Sequence, residues 1–254
     1  MRQDDRAAFD RALNRARLSA YAPGEFAGQE SFMTASEIRA LAVQAGIGPG
    51  VTVLDLCCGT AGPGRLLTRE LACAYLGVDA SESAVAIARE RADGLPCRFE
   101  TAQVPPLPDG SFDVVLVLET MLAFEDKDAL VRAIAGALRP GGRLAFTVEE
   151  GVPLTEAERA GMPDADTVWL TPLEELTTSL ERASLIVTWQ EDHSTEHLAT
   201  ARALAGAFAA DAENIAARIG HAALDDLLAA HRLWIDWLDE GRVRKLALVA
   251  GRAG

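Results

Sequence analysis

From Val51 onward, short apolar runs alternate with stretches in which apolar residues recur every three to four positions, the pattern of strands joined by helices in a parallel sheet. Val51–Leu56 is predicted as the first strand, AYLGVD (74–79) as the second, CRFET (97–101) as the third and FDVVLVLE (112–119) as the fourth. RLAFTVEE (143–150), LIVTWQED (185–192) and VRKLALVAG (243–251) supply the other three. Helices are predicted over Gly64–Leu71, Ser81–Ala92 and 126–138, the last stopped by Pro140-Gly141-Gly142. The fold class that follows is α/β: a Rossmann-like, mostly parallel seven-stranded sheet with helices on both faces and an antiparallel last strand.

Two regions interrupt the rhythm. At the start, a helix over Asp4–Leu18 leads through Tyr21-Ala22-Pro23-Gly24 to a second helix over Thr34–Ala45. Between Asp192 and Gly241 lie Ala- and Leu-rich helices. Spliced in at these places, they are expected to cover the carboxyl ends of the strands, where open α/β sheets bind ligands. The expected organisation is one domain: a helical cap (1–46), a cofactor-binding core (47–150), a flap and helical insert (151–241) and the final strand (242–254).

Composition narrows the partners. Half of the 254 residues are hydrophobic (49%) and 24% are charged, enough to bury one substantial core. The net charge of −14 is spread along the chain, which disfavours binding to nucleic acid. No run reaches membrane-spanning length and MRQDDRAAFD lacks an apolar signal core, so no membrane partner and a cytoplasmic location are expected. The four cysteines, at 57, 58, 73 and 97, show no Cys-x-x-Cys spacing and no nearby histidine; they are read as buried thiols, with no metal site.

The densest chemistry is VLDLCCGTAGPG (53–64), an apolar strand running into small residues that let a ligand approach backbone closely. Its order, Gly59-x-x-Gly62-x-Gly64, differs from the dinucleotide G-x-G-x-x-G, and an acid, Asp55, sits inside the strand before the loop. Asp79 ends the second strand, 20 residues after Gly59, where a carboxylate can accept both hydroxyls of a ribose.

With DGSFDVVLVLE following a proline-rich turn and LRPGG preceding the fifth strand, the chain resembles the class I S-adenosylmethionine-dependent methyltransferases from about Tyr21 to its end. The resemblance implies S-adenosylmethionine as cofactor, with Asp55 serving its methionine end, Asp79 its ribose and Ala80 its adenine face. The amides of Ala102 and Gln103 would read the adenine edge, and the loop residues Cys57, Gly59 and Thr60, with Leu118, would complete the site. Two departures stand out: Thr101 replaces the usual acid beside adenine, and Cys57 and Ala61 replace two of the loop's glycines. Each must keep negative φ or accept strain.

YAPGEFAGQESFMTASE (21–37) is similar to the small-metabolite branch of that family, including phosphoethanolamine and natural-product sugar methyltransferases. That likeness makes Tyr21, Gln29 and Ser31 candidates to close over the cofactor. The histidine which phosphoethanolamine enzymes carry after strand four is Ala123 here. His193, in the turn after strand six where such enzymes face their acceptor, is the expected general base, with Tyr21 and Glu150 as further catalytic candidates. Glu149 and Glu150 end strand five, and either could hold a cation or deprotonate a hydroxyl. His231, in a helix with Trp234 and Trp237, is read as structural, and Met162 and Trp169 are expected in a flap near the acceptor. The expected partner is a small-molecule acceptor; for a second chain, a homodimer is the candidate assembly. No Asn-Pro-Pro-Tyr follows strand four, against methylation of a nucleobase. A nicotinamide-dependent oxidoreductase and a non-catalytic S-adenosylmethionine-binding module stay open as alternatives.

Overall fold

A computed structural model describes residues 3–162 and 165–252, with side chains from Phe9 onward. The strands are β1 Thr52–Leu56, β2 Ala74–Asp79, β3 Cys97–Thr101, β4 Phe112–Val117, β5 Leu138–Glu150, β6 Leu185–Asp192 and β7 Arg244–Arg252. They form one sheet in the order β3-β2-β1-β4-β5-β7-β6. The first five pair in parallel; β7 runs antiparallel to both β5 and β6 and lies between them. The helices are α1 Gln3–Ala20, α2 Ala35–Gln44, α3 Gly62–Leu71, α4 Glu82–Arg91, α5 Lys127–Ala137, α6 Glu156–Gly161, α7 Leu173–Arg182, α8 Ser194–Ala210, α9 Ala212–Ile219 and α10 His221–Asp239.

The seven strands stand where the apolar runs place them, with two differences. β5 begins at Leu138, because Pro140-Gly141-Gly142 is absorbed as a bulge: β4 pairs Phe112 with Leu138 and then Val114 with Arg143. α7 lies where the apolar pattern predicts no helix, although Leu176 and Leu180 are buried at helical spacing and two acids occupy its first turn.

Strand alternation decides what reaches the site. Leu54, Leu56, Val115 and Val117 pack on the face covered by α5 and α7, through Leu130, Val131, Ile134, Leu176 and Leu180. Val53, Val114 and Leu116 pack on the other, under Ile38 and Leu41 of α2, Leu66 and Leu67 of α3 and Val85 of α4. Asp55, two residues after Val53, therefore rises on the α3 face. α1 joins α8, α9 and α10 in a separate apolar cluster, Leu13, Ala16 and Tyr21 against Leu204, Phe208, Ile215 and Leu224. The segment after β5 packs elsewhere, with Leu154, Val168 and Leu170 against Trp237 and Val243.

Candidate active site

The turn from β1 into α3 is strained in the way the missing glycines require: Cys57 (φ 59°) and Ala61 (φ 56°) both adopt left-handed backbone. α3 starts at Gly62-Pro63 with no side-chain cap, so its first amides and the positive end of its dipole face the space in front of the loop. That space is a cavity of about 250 Å³ lined by the 57–63 loop, Gly28–Ser31, Asp55, Asp79 and Leu118–Thr120. Asp79 takes the amide of Gly59 on one oxygen (2.9 Å) and that of Ser81 on the other (2.8 Å), which fixes its carboxylate at the rim. Asp55 is 3% exposed and accepts from the Tyr75 hydroxyl at 2.5 Å. Burial pushes its carboxyl up to about 7; the Tyr75 bond opposes the rise and the Asp79 charge adds to it. Burial likewise pushes the Cys57 thiol up to about 12, which disfavours its thiolate. The Thr60 hydroxyl is buried without a hydrogen-bond partner.

Gly62 is the point where the loop meets the cap. A Cβ there would stand 2.3 Å from the carbonyl carbon and oxygen of Gly28. Gly62→Ala is expected to push the 28–31 segment outward at a cost on the order of 1–3 kcal/mol. A thermal melt lowered by several degrees, with weaker cofactor binding by calorimetry, is the expected pair of results.

Under the cap lies a second cavity, about 280 Å³, lined by Phe32, Leu122, Leu204, Phe208, Leu227, Ala230 and Trp234 on its apolar side. Its polar lining is Arg17, Tyr21, Glu30, Ser31, Glu119, Glu149, His231 and Lys245. Glu30, Ser31 and Glu119 line both cavities, so the two meet there.

Beside this junction sits a cluster of buried charge. The register of β5 on β7 sets Glu149 opposite Lys245 and Glu150 opposite Arg244. The Lys245 ammonium binds the Glu149 carboxylate and lies 2.7 Å from that of Glu119, at the end of β4. Burial alone would lower the Lys245 ammonium, but the two glutamates outweigh it and hold it above the ordinary lysine range. Burial would raise the Glu119 carboxyl; Lys245 and His197 outweigh it and hold it below the ordinary range. Glu119 also has φ 57°, a third strained residue at the same rim. Behind it, His197 (2% exposed) lies between Glu119 at 3.9 Å and Glu37 at 3.4 Å.

Asp55, Cys57, Gly59, Thr60, Asp79, Leu118, Gln29 and Ser31 all line the cavity in front of the β1–α3 loop. Gln29 is spent on its own loop: its amide donates to the carbonyls of Glu25 and Met33, and its oxygen accepts from Ala27. Ala80, Ala102 and Gln103 lie outside that lining, and the Ala102 amide is bonded to the carbonyl of Asp79, so it cannot read a ring edge. Tyr21 lines the cap cavity with its hydroxyl on the Ser31 carbonyl at 2.5 Å; burial, with Glu119 nearby, raises it above the ordinary tyrosine range.

His193 is not brought to either cavity. It follows β6 as expected, at the N-cap of α8, but its imidazole turns to Glu37 (3.4 Å) and Glu191 (3.8 Å), because α2 packs its capping-box glutamate against it. Glu150 also points away, to Arg244 at 2.9 Å, since adjacent strand residues face opposite sides. Its neighbour Glu149 lines the cap cavity. His231, read as structural, lines that cavity too, with Nδ1 2.8 Å from the Leu227 carbonyl. Met162 packs in the Trp237 cluster and Trp169 lies under Arg159, so neither reaches the cavity; Leu122 and Trp234 do. Of the four cysteines, all free thiols, only Cys73 is fully buried.

Residues 53–142 match the family model described as a methyltransferase domain. The chain is 37% identical over 106 residues to the methyltransferase GfsG of Streptomyces halstedii, covering 39% of this chain and 38% of that protein. It is 32% identical over 156 residues to the 27-O-demethylrifamycin SV methyltransferase of Amycolatopsis mediterranei, 57% of each. Phosphoethanolamine N-methyltransferase 1 of Arabidopsis thaliana is 38% identical over 100 residues, 38% of this chain and 20% of that one. The chain thus matches less than two thirds of the length of these curated relatives. Two solved structures share the whole architecture: the cyclase SpnF (TM-score 0.77, 24% identity, 97% of this chain and 93% of that one) and the cyclopropane synthase MmaA2 from Mycobacterium tuberculosis (TM-score 0.80, 14% identity, 99% of both). Residues 53–142 thus match a methyltransferase domain, set in a sheet whose strand order and acid-flanked loop resemble those of class I S-adenosylmethionine-dependent methyltransferases.

Proposed function

We propose that this protein methylates a small molecule with an apolar body that presents a hydrogen-bond donor, a hydroxyl or an amine, to the polar end of the cap cavity. The observation that carries this is the meeting of the two cavities at Glu30, Ser31 and Glu119, one rimmed by Asp79 and the uncapped start of α3, the other walled by Phe32, Phe208 and Trp234. When bound, S-adenosylmethionine supplies a transferable methyl group on a sulfonium. Asp79 has a lone pair left on each oxygen for a ribose hydroxyl, and the α3 amides suit the methionine carboxylate. The unpartnered Thr60 hydroxyl offers one further donor. In the cap cavity, Oε2 of Glu149 is buried with no hydrogen-bond partner, which fits a donor on the acceptor. Alignment of two bound reactants supplies about 7–11 kcal/mol of barrier reduction, so the apolar walls carry most of the acceleration and no separate histidine base is required.

Supporting the reading, the relatives named for their substrates act on small molecules, among them 27-O-demethylrifamycin SV and phosphoethanolamine. Among the described residues no helix is long and apolar enough to cross a membrane. A reducing, cytoplasmic setting suits the free thiols. The test is release of S-adenosylhomocysteine, followed by mass spectrometry, from purified protein given the cofactor and hydroxylated or aminated apolar compounds. Trp234→Ala is expected to raise KM for any compound turned over by about tenfold, the scale of one buried aromatic wall, while cofactor affinity holds. A second reading, a cofactor-binding protein that processes its cavity's occupant without transfer, is favoured by the full-length likeness to a cyclase. Cofactor binding with no S-adenosylhomocysteine from any compound would select it.

A further inference from the structure

We propose that Glu119 is the group by which this protein distinguishes its positively charged cofactor from the neutral, demethylated product. The proposal rests on the methyl-transfer reading and concerns the point where the two cavities meet. The cavity in front of the β1–α3 loop is lined, among the described residues, by four acids, Glu30, Asp55, Asp79 and Glu119, and by no lysine or arginine. Three of these have local partners: Glu30 lies 3.4 Å from Arg17, Asp55 accepts from Tyr75, and Asp79 holds two backbone amides. Glu119 belongs instead to the buried set with Glu149 and Lys245, in which two carboxylates share one ammonium. With His197 and Glu37 behind it, the set places three carboxylates around one ammonium and one imidazole, an excess of acid, and it opens on both cavities through Glu119.

A sulfonium at this junction balances the excess charge; the thioether left after methyl transfer does not. Water is largely excluded from these side chains, Lys245 and Glu149 being 3% and 5% exposed, so the charge is weakly screened. The left-handed backbone of Glu119, anchored by its amide on the Thr147 hydroxyl at 2.6 Å, fixes the carboxylate in place before any ligand arrives. Discrimination of this kind favours loading of the cofactor and release of the product, because one methyl transfer removes the charge that Glu119 selects.

The experiment is calorimetric and needs no acceptor. Wild-type protein is titrated with S-adenosylmethionine, with S-adenosylhomocysteine, and with sinefungin, which carries an amine in place of the methylsulfonium. The two cationic ligands are expected to bind about tenfold tighter than S-adenosylhomocysteine, the scale of one charge pair partly offset by Lys245. In Glu119→Gln the three affinities should converge to within about twofold, whereas Asp79→Asn should weaken all three alike and preserve their ratio. Equal affinities in the wild type, a result that does not depend on any variant folding, overturn the proposal. So does an undiminished preference in a folded Glu119→Gln. Failure of the methyl-transfer reading looks different: folded wild-type protein would bind none of the three, or would keep the cationic preference and release no S-adenosylhomocysteine with any acceptor.

Discussion

Replacing Asp79 by alanine is expected to weaken S-adenosylmethionine binding by at least about 1.5–3 kcal/mol, the cost of leaving hydrogen bonds to a charged group unmade. The loss should exceed that of the ribose contacts alone. Asp79 also anchors the amides of Gly59 and Ser81, so the same substitution frees the strained loop and the start of α4. Asp79→Asn keeps one acceptor and should fall between. Calorimetry on both variants checks the order, and wild-type affinity in the alanine variant would remove Asp79 from the site.

Lys245→Met should produce the largest loss of stability, about 3–5 kcal/mol, because it leaves two buried carboxylates facing each other with no cation. Its dependence on pH follows from the directions given above. Glu119 is held below its unfolded value, so its contribution is complete above the ordinary glutamate range and disappears as pH falls through the lowered value. Lys245 is held above its unfolded value, so its contribution is complete below the ordinary lysine range and disappears as pH climbs through the raised value. The variant should therefore be most destabilised near neutrality and lose part of that deficit toward pH 4, where protonation relieves the carboxylates. Urea unfolding at several pH values measures this; a deficit below about 1 kcal/mol at pH 7 would mean the cluster is solvated.

The parts of the molecule legible in the sequence are those whose physics is local. Strands β1, β2 and β4 are continuous apolar runs because both faces are covered, and Asp55 and Asp79 stand out as acids at or near their ends. At Cys57 and Ala61 the sequence poses a choice between negative φ and strain, since each has a β-carbon where the related loop has glycine, and the backbone takes the strained alternative. The buried cluster was not legible, because its members lie far apart in the chain: Glu149 and Lys245 are 96 residues apart and meet only through the placing of β7 beside β5. One signal was available, an isolated lysine inside the apolar run VRKLALVAG, which a buried strand tolerates only with a partner. For His193 the turn was right but the direction was not, since the capping glutamate of α2, packed in from outside the local sequence, sets where the imidazole points.

The insertion of β7 between β5 and β6 also imposes an order on biosynthesis. As the ribosome moves along the message, β5 and β6 emerge with no partner for their facing edges, because the ladder each needs is encoded in Arg244–Arg252. Over the same interval Glu119 and Glu149 exist without their counterion. Nascent chains thus carry a gap in the middle of the sheet until translation of β7, when hydrogen-bond closure and the shared counterion of Glu119 and Glu149 arrive in a single step. A stalled ribosome or a premature stop codon upstream of Arg244 would release a species with two open strand edges, the form most prone to aggregate and most dependent on chaperones.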